Sequence, residues 1–170
     1  LVIGHLGLEA GDRVLDAGTG TGILAVFLGR LGLSVVTYER DADFAETARA
    51  NMATAGVTDR VEVRAADVLE AQAELADGEP FDAVTLDTED APAVVREAPA
   101  LLAPAGGLAV YSPFVEHTRS AVEAARAAGF ESIRSLETIQ REMDFDERGS
   151  RPSTAGVGHT GYLTFARAPA

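Results

Sequence analysis

The 170-residue sequence contains no cysteine and no lysine, and all fourteen of its basic residues are arginine. Without cysteine the chain can form neither a disulfide nor a thiolate nucleophile, which is typical of cytoplasmic proteins, so we predict a cytoplasmic location. Without lysine it cannot carry the phosphate-binding motif of P-loop nucleotidases, whose lysine contacts the phosphates. No apolar run approaches the ~20 residues that a membrane-spanning helix needs, and we expect no membrane partner.

The chain is long enough for one domain with a full core, since a domain of this size buries roughly 70% of its unfolded surface. We find no internal repeat, and we therefore treat residues 1–170 as a single domain. The sequence begins with Leu1 and shows no secretory signal, so we expect it to begin inside a longer gene product.

Acidic residues dominate the charge, with 27 carboxylates and a formal net charge of −13. A lysine-free, carboxylate-rich composition resembles that of halophilic proteins adapted to high intracellular salt; the alternative is an acidic protein from an arginine-biased genome. Residues 1–115 hold 7 arginines against 19 carboxylates, whereas residues 116–170 hold 7 against 8. A polyanion would therefore meet less repulsion at the C-terminal third.

A glycine-rich turn follows the first apolar run of the chain. The run at 13–17 is typical of a buried strand, and a helical pattern covers about 20–31. Between them Gly18, Gly20 and Gly22 permit positive φ and a close approach of backbone to a ligand. The helix start adds free N–H donors, so this turn can hold the polar part of a nucleotide-like cofactor.

Strands and helices alternate along most of the chain, which predicts a Rossmann-like α/β fold with a mostly parallel seven-stranded sheet and helices on both faces. No helix separates the last two strands, so the C-terminal strand should be antiparallel. We predict a turn at 104–107 and a mobile polar loop at 140–158. The predicted strands are 13–17, 34–38, 60–65, 81–86, 108–111, 130–139 and 159–166, and the predicted helices are about 20–31, 41–55, 68–75, 91–102 and 116–128.

Four predicted strands end in a carboxylate, namely Asp16, Glu39, Asp67 and Asp87. Each alone is as readily a solvated turn residue or a helix cap, but ligands of open α/β sheets bind at the carboxyl ends of the strands. Glu39 lies 17 residues after Gly22, where an acidic residue can accept both ribose hydroxyls. Asp67 can accept from an adenine amino group, and Asp16 suits an ammonium group better than a pyrophosphate. The set favours S-adenosylmethionine over NAD.

Residues 14–22 (VLDAGTGTG), the Tyr38-Glu39 pair and Asp67 resemble the class I S-adenosylmethionine-dependent methyltransferases, and this resemblance covers most of the chain. It implies a Rossmann-like fold and S-adenosylmethionine as cofactor, with no metal. The resemblance assigns cofactor binding to Asp16, Gly18, Thr19, Gly20, Gly22, Glu39, Arg40, Asp67, Val68 and Asp87.

Three stretches carry a narrower resemblance, to the tRNA adenine-N1 methyltransferases that modify the T-loop adenine at position 58. They are residues 11–20 (GDRVLDAGTG), residues 112–116 (SPFVE), and residues 151–152 (RP) together with 158–163 (GHTGYL). The resemblance implies tRNA as partner, action on the adjacent purine 57 in archaeal members, and a tetramer. It also implies an N-terminal β-rich domain, and we expect this sequence to start after it.

The chain departs from that pattern near the expected substrate pocket. The family's strand 4 aspartate is usually followed by Leu-Pro and an aromatic residue, whereas Asp87 is followed by residues 88–92 (TEDAP). His117 stands where a glutamine is common. Methyl transfer is therefore better supported by the resemblance than tRNA specificity.

Asp87 is our candidate catalytic residue, because a carboxylate near the adenine amino group stabilises the positive charge that forms as N1 is methylated; its alternative role is helix capping. Tyr111, Phe114 and Tyr162 can stack on a base turned out of its loop, or can belong to the core. Arg148 and Arg151 can contact phosphates, or can pair with nearby carboxylates. The predicted substrate-binding residues are Tyr111, Pro113, His117, Arg148, Arg151 and His159.

Two other functions remain open from the sequence. The first is a methyltransferase of another substrate class, such as a protein isoaspartyl carboxylate or a small molecule. The second is a non-catalytic subunit that pairs with a catalytic homologue. The intact glycine turn with Glu39 and Asp67 argues against the second, and residues 151–152 with 158–163 argue against the first.

Overall fold

One sheet of seven strands organises the chain in a computed structural model that describes residues 1–153 and 160–170. Its strand order is β3-β2-β1-β4-β5-β9-β6. The strands are β1 (Arg13–Ala17), β2 (Ser34–Glu39), β3 (Val61–Ala65), β4 (Phe81–Leu86), β5 (Leu102–Ser112), β6 (Glu131–Glu137) and β9 (Tyr162–Arg167), and β7 (Met143–Asp146) pairs with β8 (Gly149–Pro152) in a separate hairpin. The helices are α1 (Val2–Leu6), α2 (Ile23–Arg30), α3 (Ala42–Ala55), α4 (Val68–Ala76), α5 (Ala91–Leu101) and α6 (Val115–Ala127).

The first five strands of the sheet are parallel to one another, and β9 is antiparallel to both of its neighbours. Because β9 lies between β5 and β6, the strand that is last in the sequence fills an interior position of the sheet. The predicted fold class is confirmed, including the seven strands and the antiparallel C-terminal strand.

Each face of the sheet carries its own hydrophobic core, because the buried strands present apolar side chains to both sides. On one face α4, α5 and α6 pack through residues such as Val94, Val95 and Ala121. On the other face α1, α2 and α3 pack through residues such as Leu28 and Met52. Among the helices of the described ranges, none combines the length and the apolar character that crossing a bilayer requires.

Local capping signals place α3. Asp41 is its N-cap, and its carboxylate accepts hydrogen bonds from the N–H groups of Asp43 and Phe44. Gly56 ends the helix in the left-handed conformation, with φ of 69°. Both ends agree with the prediction from the sequence.

Two predicted irregular segments are wrong. The turn predicted at 104–107 is a bulge inside β5, where pairing with β4 skips from Leu102 to Gly107 and Ala105 adopts φ of 60°. Within the loop predicted at 140–158, residues 143–152 form the β7–β8 hairpin, in which Asp146 pairs with Gly149, and residues 154–158 lie outside the described residues. β7 (MDFD) alternates apolar and acidic residues over only four positions, and β8 (GSRP) contains a glycine and a proline, so neither strand has a strong signal in the sequence.

Two helical glycines test how tightly α2 packs against the sheet. A Cβ on Gly29 of α2 would meet Val61 Cγ2 at 2.6 Å, whereas a Cβ on Gly4 of α1 would meet nothing within 4 Å. Alanine normally stabilises a helix interior by ~1 kcal/mol relative to glycine. We expect Gly4→Ala to raise the free energy of unfolding slightly and Gly29→Ala to lower it by about 1–2 kcal/mol, because overpacking outweighs the helix gain.

Urea unfolding of the two variants beside the parent chain measures this difference. Equal stabilisation by both alanines would show that α2 has room to move away from β3.

Candidate functional site

The carboxyl ends of β1, β2, β3 and β4 surround an open cavity of about 520 Å³. This is the edge at which parallel α/β sheets bind ligands. Residues from the loops after all four strands line it: Ala17, Gly18, Gly20, Tyr38, Glu39, Arg40, Asp41, Phe44, Ala66, Asp67, Val68, Asp87, Thr88, Glu89 and Asp90. Of the predicted cofactor residues, seven lie together here, namely Gly18, Gly20, Glu39, Arg40, Asp67, Val68 and Asp87.

Close backbone contact explains the first glycine of the turn. Gly18 has φ of 87°, and a Cβ there would lie 2.0 Å from the carbonyl oxygen of Asp87. No other residue fits, because the obstruction is backbone and cannot rotate away. Gly18 therefore brings the end of β1 against the end of β4 and fixes where Asp87 stands. Gly20, with φ of 54°, faces open space in the cavity.

Three backbone N–H groups of the glycine turn form hydrogen bonds within the protein. The N–H groups of Gly18 and Thr19 donate to the Tyr38 carbonyl at 3.0 and 3.3 Å, and that of Gly20 donates to Glu39 Oε2 at 2.8 Å. A loop that cradles phosphates needs such donors pointing at the ligand. These three are committed to β2 and its following loop, so the turn does not form a phosphate nest.

The charge of the cavity also disfavours a phosphate ligand. Burial raises the pKa of Asp87 above the usual value for an aspartate. A ligand with a positive centre and hydroxyl donors fits such a wall, whereas a polyphosphate would be repelled. Six carboxylates and one arginine line the cavity: Glu39, Asp41, Asp67, Asp87, Glu89 and Asp90, with Arg40.

Asp16 lies below the cavity and not in its wall. Its side chain is buried, and it accepts hydrogen bonds from the hydroxyls of Thr37 and Thr85 at 2.6 Å each. These threonines are its register partners on β2 and β4. The hydroxyl of Thr19 lies 2.5 Å from that of Thr37. Asp16 and Thr19 are thus buried beside the site and are not among the residues that line the cavity.

Gly22 also has a packing role. It is the N-cap of α2 with φ of 84°, and a Cβ there would meet Met52 Cε at 2.5 Å and Ala48 Cβ at 3.3 Å. This glycine lets α2 approach α3, and it does not line the cavity.

A second cavity of about 270 Å³ adjoins the first and shares Asp87, Thr88 and Glu89 with it. Three predicted substrate residues, Tyr111, Pro113 and His117, lie together in its wall. The remaining lining residues are Ala91, Pro92, Val110, Ser112 and Phe114. The wall opposite the acidic residues is thus mainly apolar and aromatic.

The aromatic groups of the second cavity are held by specific neighbours. The rings of Phe114 and His117 meet edge to face, with centroids 5.5 Å apart. The ring of Tyr111, which is 39% exposed, lies against the backbone of Gly161, where a Cβ would come within 2.1 Å of the ring. Tyr162 starts β9 beside Ser112 and is absent from the lining of this cavity.

The predicted phosphate contacts lie elsewhere. Arg148 is in the turn of the β7–β8 hairpin and Arg151 is on β8, and both are exposed. They line a shallow hollow with Asp146 and belong to the wall of neither cavity. His159 lies outside the described residues. Among residues 1–153 and 160–170, no group of three or more acidic or histidine side chains is placed to hold a metal ion.

Eight residues that line the first cavity are not among the predicted cofactor residues, and four of them are Phe44, Glu89, Asp90 and Asp41. Phe44 keeps four-residue spacing with Ala48 and Met52, which are buried, but it is 49% exposed and lines the cavity. Glu89 and Asp90 had no assigned role, although both pair with Arg40. The strand order would have predicted this pairing. β2 and β4 both lie next to β1, so the loops that follow them can meet across the end of β1. The fourth residue is the helix cap Asp41.

The comparisons with known proteins agree with this geometry. A family model described as the tRNA methyltransferase complex GCD14 subunit matches residues 1–150. The tRNA (adenine(57)-N(1)/adenine(58)-N(1))-methyltransferase TrmI of Methanocaldococcus jannaschii is 33% identical over 198 positions, covering 99% of this chain and 68% of that protein. The chain belongs to this family of tRNA methyltransferases. The predicted family and the predicted enzyme class are confirmed.

Solved structures place the fold among the methyltransferases. A SAM-dependent O-methyltransferase of Thermotoga maritima matches with a TM-score of 0.88 at 26% identity, covering 97% of this chain and 62% of that one. The tRNA (m1A58) methyltransferase TrmI of Aquifex aeolicus matches in fold with a TM-score of 0.81 at 24% identity, covering 95% of this chain and 64% of that one. This chain thus spans about two thirds of these relatives. A protein-L-isoaspartate O-methyltransferase of Methylorubrum extorquens matches over 49% of the chain at 42% identity.

The buried Asp16 network predicts a pH-dependent stability. Burial is the main cause that raises the pKa of Asp16, while the bonds from Thr37 and Thr85 act in the opposite direction. The native chain therefore holds this proton to higher pH than the unfolded chain, and its stability falls as pH rises through the raised pKa. Asp16→Asn keeps the shape without that titration, so its unfolding free energy relative to the parent should increase as pH rises.

Urea unfolding at a series of pH values from 4 to 8 measures this difference. Asp16→Ala is the contrasting variant, because it leaves two buried hydroxyls without their acceptor and should cost about 1–3 kcal/mol for each. A constant gap between Asp16→Asn and the parent at all pH values would show that Asp16 titrates as it does in the unfolded chain.

Proposed function

We propose that the chain is the catalytic part of an S-adenosylmethionine-dependent methyltransferase that methylates N1 of adenine in the T loop of tRNA, at position 58 or at positions 57 and 58. The observation that carries the proposal is that Asp87 belongs to the walls of two adjoining cavities of different character. One is acidic and open, and the other is mainly apolar and aromatic. Family membership supports the same substrate class.

The acidic cavity fits the cofactor. Glu39 would accept the ribose hydroxyls, since a carboxylate bonded to the N–H groups of Gly20 and Asp41 keeps further lone pairs. Asp67 and Val68 would hold the adenine. When bound, S-adenosylmethionine supplies a methyl group on a positively charged sulfur. The surrounding carboxylates favour that charge, and the committed N–H groups of the glycine turn offer nothing to a pyrophosphate.

The second cavity fits a planar base. Phe114 and Tyr111 offer aromatic faces, and Pro113 adds apolar surface. A base within a folded tRNA loop is stacked, so it must be turned out before it can enter. Stacking on aromatic rings offsets part of that cost, since each stacked base contributes ~1–3 kcal/mol. His117 offers a ring nitrogen to the edge of the base.

Asp87 connects the two cavities chemically. Adenine N1 attacks with its own lone pair, so the protein needs mainly to position it. Positive charge then spreads from N1 to the exocyclic amino group, and the Asp87 carboxylate accepts a hydrogen bond or a proton from that group. Its raised pKa makes Asp87 a better proton acceptor than an ordinary aspartate. The close contact with Gly18 fixes the backbone of Asp87, whose carboxylate would then lie where the two cavities meet.

Replacement of Asp87 tests its role. We expect Asp87→Asn to keep cofactor binding while turnover on tRNA falls about 10²–10⁴-fold, the usual contribution of a positioned acid or base. In the parent chain kcat/KM should rise with pH through the raised pKa of Asp87, and this rise should disappear in the variant. Asp59→Asn, which removes the same charge from an exposed position outside both cavities, is the control. Unchanged turnover in Asp87→Asn would remove Asp87 from the mechanism.

The contact between Tyr111 and Gly161 gives a test of the substrate cavity. Gly161→Ala would push the Tyr111 ring from its place, because the added carbon would come within 2.1 Å of it. If Tyr111 stacks on the base, KM for tRNA should rise about tenfold while cofactor affinity stays the same. In a Tyr111→Ala background the same glycine substitution should have almost no further effect. If the effects of the two substitutions add, Gly161→Ala does not act through the Tyr111 ring, and the prediction is wrong.

The function itself is tested with a defined, unmodified tRNA transcript and isotopically labelled S-adenosylmethionine. Mass mapping of the digested product should show N1-methyladenosine at position 58, or at 57 and 58, and no label in a transcript with guanosine at both positions. The matches to O-methyltransferases favour a second candidate, methyl-ester formation on a carboxylate. Label on an isoaspartyl peptide with none on tRNA would establish that candidate instead.

Several finer assignments belong to the same proposal. Arg148 and Arg151 would contact the tRNA backbone outside the two cavities, and His159 would bond the substrate or the cofactor. A homotetramer, adaptation to high salt and a cytoplasmic location stay predictions. Native mass spectrometry of the chain at high salt tests the assembly, and tRNA affinity measured at several salt concentrations tests the phosphate contacts, because each such contact steepens the salt dependence.

A further inference from the structure

Two loops that border the first cavity are joined by a forked ion pair. Arg40, in the loop after β2, donates from Nη2 to Glu89 Oε1 at 2.7 Å and from Nη1 to Asp90 Oδ2 at 2.9 Å. Glu89 and Asp90 follow Asp87 in the loop after β4. We call Arg40, Glu89 and Asp90 the strap.

The order of the sheet shows what the strap crosses. β2 and β4 are the two neighbours of β1, so about 10 Å separates them, twice the spacing of adjacent strands. The glycine turn continues from the end of β1, between those two strands. All three strap residues line the same cavity as Gly18 and Gly20. The ion pair therefore bridges the cavity from one side of the glycine turn to the other.

We propose that the strap closes over the cofactor and must open before the cofactor can leave. The inference rests on the proposed function, in which the cofactor occupies the first cavity and the target base enters the second. Floor and strap then hold the ligand from opposite sides: the buried Asp16 network ties β1, β2 and β4 together below, and the strap ties the loops after β2 and β4 above.

The position of Glu89 extends the role of the strap to the substrate. Glu89 lines the second cavity as well as the first. A base entering the second cavity meets the same carboxylate that holds Arg40, so the strap links occupation of the two cavities. The acidic residues of the strap belong to residues 88–92 (TEDAP). In sequence this segment departs from the family pattern of Leu-Pro and an aromatic residue.

The exposure of the strap determines how it acts. The side chains of Arg40, Glu89 and Asp90 are 55%, 68% and 41% exposed. Exposed ion pairs contribute little to folding and weaken as salt screens them. The strap is therefore suited to control a rate, and high ionic strength should loosen it.

The first experiment measures release of S-adenosylhomocysteine, used as a non-reactive probe, from the 170-residue chain by stopped-flow displacement. Arg40→Gln should release it two- to tenfold faster than the parent, and the parent, but not this variant, should release it faster as salt rises. Arg119→Gln is the matched control, because it breaks an exposed ion pair with Glu123 on α6, outside both cavities. Equal release rates in the parent and Arg40→Gln at low salt would overturn the proposal.

The second experiment locks the strap. The chain has no cysteine, so Arg40→Cys/Glu89→Cys introduces two unique thiols. Cross-linking them with a short bis-maleimide after the probe has bound should slow its release at least tenfold, and cross-linking before the probe is added should slow binding equally. Release from the cross-linked protein as fast as from the same variant with its thiols blocked singly would show that the strap does not cover the ligand.

The two proposals fail in different ways. If the parent chain does not bind S-adenosylhomocysteine, the proposed function fails. If the parent binds it and methylates tRNA, yet neither Arg40→Gln nor the cross-link changes the rates, the strap alone is wrong.

Discussion

The site depends on how three central strands are held together at their carboxyl ends. A single buried carboxyl on β1, that of Asp16, accepts from a threonine on each neighbouring strand, and the register of the sheet sets all three side chains at the same level. A buried polar group is costly unless its hydrogen bonds are satisfied, so this network tolerates little movement. The ends of β1, β2 and β4 are thereby fixed, and every loop that borders the cavity starts from one of these ends or from β3 beside them.

Electrostatics then selects the kind of ligand. The Rossmann-like topology suits phosphate-containing dinucleotides when the N–H groups of its glycine turn point outward. In this chain the Gly20 N–H donates to Glu39, so one carboxylate both occupies a donor and adds negative charge to the wall. The same backbone architecture therefore favours a ligand with a positive centre. The class of cofactor is therefore decided by the arrangement of a few side chains near the turn, while the architecture of the sheet stays the same.

Much of this could be predicted from sequence, because strand–helix alternation and glycine spacing are local signals. The five parallel strands, the capping of α3 by Asp41 and the antiparallel last strand follow from such signals. The exposure of Phe44 could not be predicted, since it shares its helical spacing with the buried residues Ala48 and Met52 and yet lines the cavity. The pairing of Arg40 with Glu89 joins positions 49 apart and requires the strand order to be known. The position of Asp16 at the end of the first strand is evident from the sequence. Its burial is not, because the threonines that bond it, Thr37 and Thr85, lie on two other strands.

The interior place of β9 has a consequence for how the protein is made. β5 and β6 are both synthesised before β9. β5 can pair with β4 at once, but its other edge and the whole of β6 have no native partner in the sheet until β9 has been synthesised. Until then the nascent sheet presents the open edge of β5, with unpaired backbone groups that can recruit a wrong strand. The end of β5 also forms part of the wall of the second cavity, so the strand whose edge waits for β9 is one that shapes that cavity.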